Sequence, residues 1–146
     1  MGLNQYLDQF DKWLTSVFKG APKLPKGFVK FLVSVLPWLA LLGGVMGVIG
    51  ILGSLSVGGL AAVVMGSWGY RWGMTYWFSL GLMVVITYLS FKAFGLLKVR
   101  KLAGWKLSWY VMILSLVNAV LMLDPMGLVG VVVGFYFLYQ IKGEYK

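Results

Sequence analysis

The chain has 146 residues, of which 60% are hydrophobic, 16% aromatic and 12% charged, and its formal net charge is +9. Because soluble proteins carry roughly 25% charged residues, this composition excludes a water-soluble globular fold, and its hydrophobicity excludes a disordered chain. The absence of cysteine and histidine excludes disulfide scaffolds, cysteine–zinc sites and histidine-based catalysis, so a single integral membrane domain is expected.

The first predicted element is an amphipathic helix at the N-terminus. Its apolar side chains recur at spacings of three and four residues, whereas its polar side chains, with Asp8 and Asp11 among them, occupy the other side. Because the two aspartates interrupt the apolar run, we do not expect this segment to be a signal peptide. We expect this helix to lie in the membrane interface. Its predicted surface residues are Leu3, Leu7, Phe10, Trp13 and Leu14.

A basic hinge follows the helix and completes an N-terminal unit of residues 1–27. Two prolines and two glycines break the helix there, and the lysines are expected at anionic headgroups, where each contributes about 1 kcal/mol of attraction. An ordinary topology anchor is favoured over recognition of a specific headgroup. The cations assigned to the membrane surface, in the hinge and in the loop near residue 100, are Lys19, Lys23, Lys26, Lys98, Arg100 and Lys101.

Residues 28–146 are predicted to form a transmembrane domain, an all-α bundle of four helices. Crossing a bilayer takes about 20 apolar residues, and the charges divide the sequence into apolar stretches of suitable length. The predicted spans are residues 29–53, 72–97, 105–123 and 125–141. Between the last two spans, Asp124 is expected to cap a helix whose first position is Pro125.

The segment from residue 54 to 70 is apolar but too short to cross the membrane. We expect a short helix in the outer interface, favoured by the aromatic residues that follow it, or a half-helix that re-enters among the spans. Two spans within residues 31–70 would distribute the cations almost equally between the two sides. With four spans, twelve of the thirteen cations share one side, so both termini are expected in the cytoplasm, in a bacterial cytoplasmic membrane.

Glycines provide the predicted contacts between helices. Their share of the chain, 20 of 146 residues, is nearly twice the average of about 7%. Membrane helices associate through close backbone contact at small residues, so the glycines of the first and last spans are expected to pack on each other or, less favoured, on a neighbouring protein. The predicted packing residues are Gly43, Gly44, Gly47, Gly50, Gly53, Gly127, Gly130 and Gly134, with Asn118 as a hydrogen-bonding residue between helices.

Catalytic chemistry finds little support in the sequence. All four acidic residues fall outside the predicted hydrocarbon region, so neither a carboxylate pair nor a proton relay at mid-membrane is expected. Lys30 and Ser34 lie four residues apart and would allow a serine–lysine dyad, but a lysine at the lipid surface beside a packing serine is the favoured interpretation. We therefore expect no enzyme activity, no bound metal and no cofactor.

Three functions remain open from the sequence. The leading hypothesis is a non-enzymatic subunit that packs against other proteins in a membrane complex. The alternatives are a small homo-oligomeric channel or carrier, and a membrane-remodelling protein that uses its N-terminal helix. The expected partners are the lipid bilayer and other membrane protein chains or further copies of this one. A nucleic-acid partner is not expected, because membrane topology explains the cations.

Overall fold

The structure, a computed structural model, describes residues 2–58 and 70–145. Within these ranges the chain is all-α, as predicted, with five helices and no strand. The helices are α1 (Leu3–Lys19), α2 (Lys26–Gly53), α3 (Tyr70–Lys98), α4 (Leu102–Leu121) and α5 (Pro125–Gln140). A π-helical turn, Ser54–Gly58, extends α2, and a 3-10 turn, Lys142–Glu144, follows α5. Most of the predicted outer-side helix or half-helix, residues 59–69, lies outside the described residues.

Within residues 2–58 and 70–145, three helical segments are long and apolar enough to cross a membrane. They are Lys26–Ser56, Met74–Lys98 and Leu102–Leu121. The fourth apolar helix, α5, has 16 residues and a length of about 24 Å, somewhat less than the hydrocarbon thickness of a bilayer. These three helices indicate a membrane location for the chain, as its composition predicts.

Helices α2 and α3 pack in opposite directions through the glycines of α2. Successive residues along α2 contact residues that lie progressively closer to the N-terminus of α3. The contacts, in order along α2, are Gly44 with Phe91, Gly47 with Thr87 and Gly50 with Met83. The Thr87 hydroxyl occupies the place that a Cβ on Gly47 would take, so the backbones approach closely there. Three glycines of the first span therefore pack on α3, and not on the last span.

Helices α3 and α4 form a tight hairpin. The Lys101 N–H donates to the Leu96 carbonyl at 3.1 Å and the Arg100 N–H to the Leu97 carbonyl at 3.0 Å, which is a Schellman end to α3. Arg100 has a φ of 54°, so it takes the left-handed position that glycine usually occupies. A Cβ on Gly104 would lie 2.7 Å from the Leu97 backbone nitrogen. Only a glycine fits at this crossing, which the sequence analysis did not predict.

Helices α4 and α5 form a second hairpin, and the predicted cap between them is confirmed. The Asp124 carboxylate accepts a hydrogen bond from the Met126 N–H at 3.1 Å, and Pro125 opens α5. A Cβ on Gly134 would lie 2.8 Å from the Met112 thioether of α4, so this glycine packs on α4.

These three antiparallel pairings bring the start of α2, the α3–α4 turn and the end of α5 to one end of the molecule. We call it the basic end, after its cations Lys26, Lys30, Lys98, Arg100, Lys101 and Lys142. Most of the buried cluster lies toward this end. The buried side chains that α3, α4, α5 and the C-terminal turn contribute to it include Leu97, Trp105, Trp109, Phe135, Leu138, Ile141 and Tyr145.

Candidate functional site

Helix α1 is docked on the basic end by one of its faces. Leu14 is only 6% exposed and belongs to the buried cluster, and Leu7 and Phe10 pack against that cluster. Ring centroids lie 6.4 Å apart between Phe10 and Trp109 of α4. This face is therefore covered by protein, and Leu14, which we expected at the membrane surface, is instead part of the protein core.

A second apolar face of α1 is uncovered in the described structure. Its side chains are Tyr6, Trp13 and Val17, of which Trp13 is 59% exposed. Leu3, at the start of α1, is 74% exposed. At 100° per residue Tyr6, Trp13 and Val17 lie about 60–100° away from Leu14, whereas Leu3 lies within about 20° of it. Leu3 and Trp13 thus remain available for the predicted contact with lipid, while Leu7 and Phe10 are shared with the protein.

A polar cluster fastens α1 to the two last helices. The Asp11 carboxylate accepts a hydrogen bond from the Tyr139 hydroxyl and lies 3.3 Å from the Lys142 ammonium. The Trp109 indole N–H donates to the same Tyr139 hydroxyl at 3.0 Å. The Lys142 ammonium also lies 4.7 Å from the centroid of the Trp105 ring, a cation–π contact. We call these five residues the Asp11 cluster.

The sequence pattern predicts Asp11 on the polar side of α1, and the structure corrects this prediction. Asp11 lies between Leu7 and Leu14 at spacings of four and three, which are the spacings of the docked face. That spacing was the available signal. An aspartate within an apolar stripe indicates a partner for its charge, but the partners on α5 and beyond it are more than 125 residues away.

The hinge between α1 and α2 is held against α5. The Tyr136 hydroxyl donates to the Pro22 carbonyl at 2.7 Å, and the Gln140 amide donates to the same carbonyl at 3.2 Å. The Leu24 N–H reaches the Gln140 side-chain oxygen at 3.5 Å. Two side chains of α5 therefore determine the path of the hinge.

A cleft of about 790 Å³ lies between α1, the hinge, the start of α2 and the end of α5. We call it the basic cleft. The charged side chains that line it are Lys19, Lys23, Lys26, Lys30, Lys142 and Glu144. Among the described residues only Lys142 takes part in an ion pair, and its partner is Asp11. Of the predicted surface cations, Lys19, Lys23 and Lys26 share this cleft, whereas Lys98, Arg100 and Lys101 are exposed at the α3–α4 turn.

The C-terminal turn is also packed on the basic end. Tyr145 is buried in the same cluster as Trp105 and Ile141. Burial raises the pKa of the Tyr145 hydroxyl, and the positive charge of Arg100 opposes this shift. Helix α1 and the C-terminal turn thus both pack on the basic end, where Asp11 and Lys142 join them.

The predicted packing glycines divide into two groups. Gly44, Gly47, Gly50, Gly127 and Gly134 face neighbouring side chains of this chain. In contrast, a Cβ on Gly43, Gly53 or Gly130 would meet no described atom within 4 Å. The predicted amide contact is present, since Asn118 of α4 accepts a hydrogen bond from the Ser79 hydroxyl of α3.

Few acidic groups lie in the described site. Its acidic groups are Asp11, which is hydrogen-bonded to Tyr139, and Glu144 in a cleft of lysines. Residues 2–58 and 70–145 contain no cluster of acidic side chains that would hold a metal ion. Comparison with known proteins found no matching family, no similar curated protein and no similar solved structure.

Proposed function

We propose that this chain is a non-enzymatic, four-span membrane protein that packs against other membrane protein chains in an assembly. The observation that carries the proposal is a set of exposed mid-helix glycines that the described part of the chain does not use. A glycine inside a helix costs about 1 kcal/mol relative to alanine, so such positions call for a reason. Close approach of a partner helix provides one, because small residues let two backbones meet in lipid.

Helix α3 presents the longest of these surfaces. Trp77, Gly81, Val84, Tyr88 and Gly95 recur at helical spacing on one exposed face. A Cβ on Gly81 or Gly95 would meet no atom of the described chain within 4 Å. The two glycines form notches between large side chains, a shape that receives the side chains of a facing helix. We call this face the α3 notch face; the sequence analysis did not single it out.

The assembly proposal is tested by filling a notch. Gly81→Leu and Gly95→Leu should weaken association about tenfold or more, because one leucine holds the partner backbone away. Ala103→Leu, at an exposed position of α4, is the matched control and should leave association unchanged. The measurement is native mass spectrometry after mild extraction into nanodiscs. A wild-type particle that contains one chain and no copurifying protein would reject the proposal.

We also propose that α5 is the fourth span and that the basic end faces the cytoplasm of a bacterial cell. Support comes from the antiparallel succession of α2 to α5 and from the twelve cations that four spans collect on one side. Since α5 is short, the bilayer around it would thin slightly or its flanking residues would reach outward.

Cysteine labelling tests this orientation, and the chain contains no native cysteine. In whole cells, Leu123→Cys in the α4–α5 turn should react with a membrane-impermeant maleimide. Arg100→Cys in the α3–α4 turn should react only after the membrane is opened. The opposite pattern, or labelling of both positions from outside, would contradict the proposed topology.

The other two hypotheses gain no support from the described residues. The cavity between α2, α3, α4 and α5 is about 190 Å³ and is lined by apolar side chains apart from Ser90 and Ser108, which is unlike a polar conduction path. Membrane remodelling would require α1 to enter the lipid by itself, whereas its Leu14 face is packed on the protein. Assembly is therefore the function that the geometry supports best.

A further inference from the structure

We propose that the basic cleft is a binding site for the phosphate group of an anionic lipid headgroup. The cleft has the size of a small-molecule site, at about 790 Å³ against a usual range of roughly 300–1,000 Å³. It therefore has room for a phosphorylated headgroup together with the glycerol that follows it.

The cleft carries an excess of positive charge, which a bound anion would balance. Four lysines of the cleft, at positions 19, 23, 26 and 30, have no carboxylate within ion-pair distance among the described residues. Glu144 is the one acidic side chain that lines the cleft. Lysines held near one another repel, and each ammonium offers three hydrogen-bond donors to phosphate oxygens. A bound phosphate lowers this repulsion and accepts those donors.

The four lysines come from three consecutive segments that are already held in place. Lys26 and Lys30 lie four residues apart on the first turns of α2, Lys19 ends α1, and Lys23 lies in the hinge. The hinge is tied to α5 by the two hydrogen bonds to the Pro22 carbonyl. The site therefore needs little rearrangement on binding, which reduces the entropic cost of holding an anion.

The remaining walls favour a lipid over a soluble phosphate. Phe18, Leu24 and Val29 line the same cleft as the lysines. A free phosphate gains nothing from apolar walls, whereas the glycerol and first methylenes of a phospholipid do. The cleft also lies where α2 begins its apolar run, which is the level at which headgroups meet the hydrocarbon.

A general attraction of the basic end to anionic lipid makes a different prediction from a site. General attraction depends on the number of cations, so any two lysines of the basic end would be equivalent. A site depends on their position. Lys98 and Lys101 lie at the same end but are not among the side chains that line the cleft, and they therefore provide a matched control.

The experiment compares Lys23→Gln/Lys30→Gln with Lys98→Gln/Lys101→Gln, two variants of equal charge. Each protein is extracted from vesicles of phosphatidylcholine with 20% phosphatidylglycerol, washed in detergent, and examined by native mass spectrometry for retained lipid. The wild type should retain one phosphatidylglycerol. The cleft variant should lose about thirtyfold in apparent affinity and the control about threefold or less.

Two further measurements test whether the cleft variant folds and whether the bound phosphate belongs to a lipid. The unfolding temperatures of all three proteins in phosphatidylcholine alone should agree, which shows that the cleft variant folds. Inorganic phosphate and glycerol phosphate are then added to the delipidated wild type. Stabilisation by these soluble anions, equal to that by lipid, would retain the phosphate site but overturn the lipid as its source. Equal loss of lipid in both variants, or no loss in either, would overturn the site.

Discussion

Gly104→Ala should destabilise the protein by about 2 kcal/mol, although alanine is the better helix former. The new Cβ would lie 2.7 Å from the backbone nitrogen of Leu97 and 2.8 Å from the carbonyl carbon of Leu96. Backbone atoms at the end of α3 cannot turn aside as a side chain can, so the two helices must separate. The free energy of unfolding in detergent micelles, from a denaturant titration, measures the effect.

Gly95→Ala is the control for this prediction, since it adds the same methyl group to the same hairpin. A Cβ at position 95 would meet none of the described atoms within 4 Å. The control should therefore be neutral or stabilise the protein by up to about 1 kcal/mol through helix propensity. Gly104→Ala should therefore destabilise the protein, whereas Gly95→Ala should not. Equal effects would show that α3 and α4 do not cross closely at Gly104.

Asp11→Ala should release α1 from the basic end. The substitution removes the acceptor of the Tyr139 hydroxyl and the partner of Lys142. Hydrogen bonds to a charged group contribute about 1.5–3 kcal/mol, whereas the half-exposed ion pair with Lys142 adds less than about 1 kcal/mol. A loss of about 2 kcal/mol corresponds to amide hydrogen exchange in α1 that is roughly thirtyfold faster, provided that α1 opens as a local unit.

Asp8→Ala provides the matched control, because Asp8 lies on the same helix and is exposed. Both substitutions remove one negative charge and introduce the same helix former. Hydrogen exchange by mass spectrometry should show faster exchange in α1 for Asp11→Ala alone. A distance between spin labels at Gln9→Cys and Gly143→Cys should broaden in the same variant. If the two aspartate variants behaved alike, the Asp11 cluster would not be what fastens α1.

Several elements could be predicted from the sequence because their causes are local. Charge-free length and hydropathy predict the membrane helices, since every backbone polar group in lipid must be satisfied within its own segment. The Asp124–Pro125 start of α5 follows from the short range of a side-chain cap and from the fixed φ of proline. Three- and four-residue spacing likewise predicts α1 as a helix.

Less of the candidate site could be predicted from the sequence. Asp11 and Tyr139 come into contact only because α1 folds back onto α5. Nothing in the sequence around either residue identifies the other as its partner. The lysines at positions 19, 23, 26 and 30 are visible as a basic hinge, but a cleft requires the end of α5 as its further wall. Gly104 was overlooked for the same reason, because its neighbour is the backbone of another helix.

The sequence by itself determined the membrane location of this protein, the positions of its apolar helices and the grouping of its cations. Only the tertiary structure decided which side of each helix meets protein and which is left for lipid or a partner. Leu14 and Trp13 illustrate the difference, since both were predicted at the membrane surface but only Leu14 is buried in the protein. The physical reason is that lipid and a protein interior are equally apolar, so hydrophobic periodicity cannot distinguish between them. Contacts between distant segments determine which face of a helix is buried in protein.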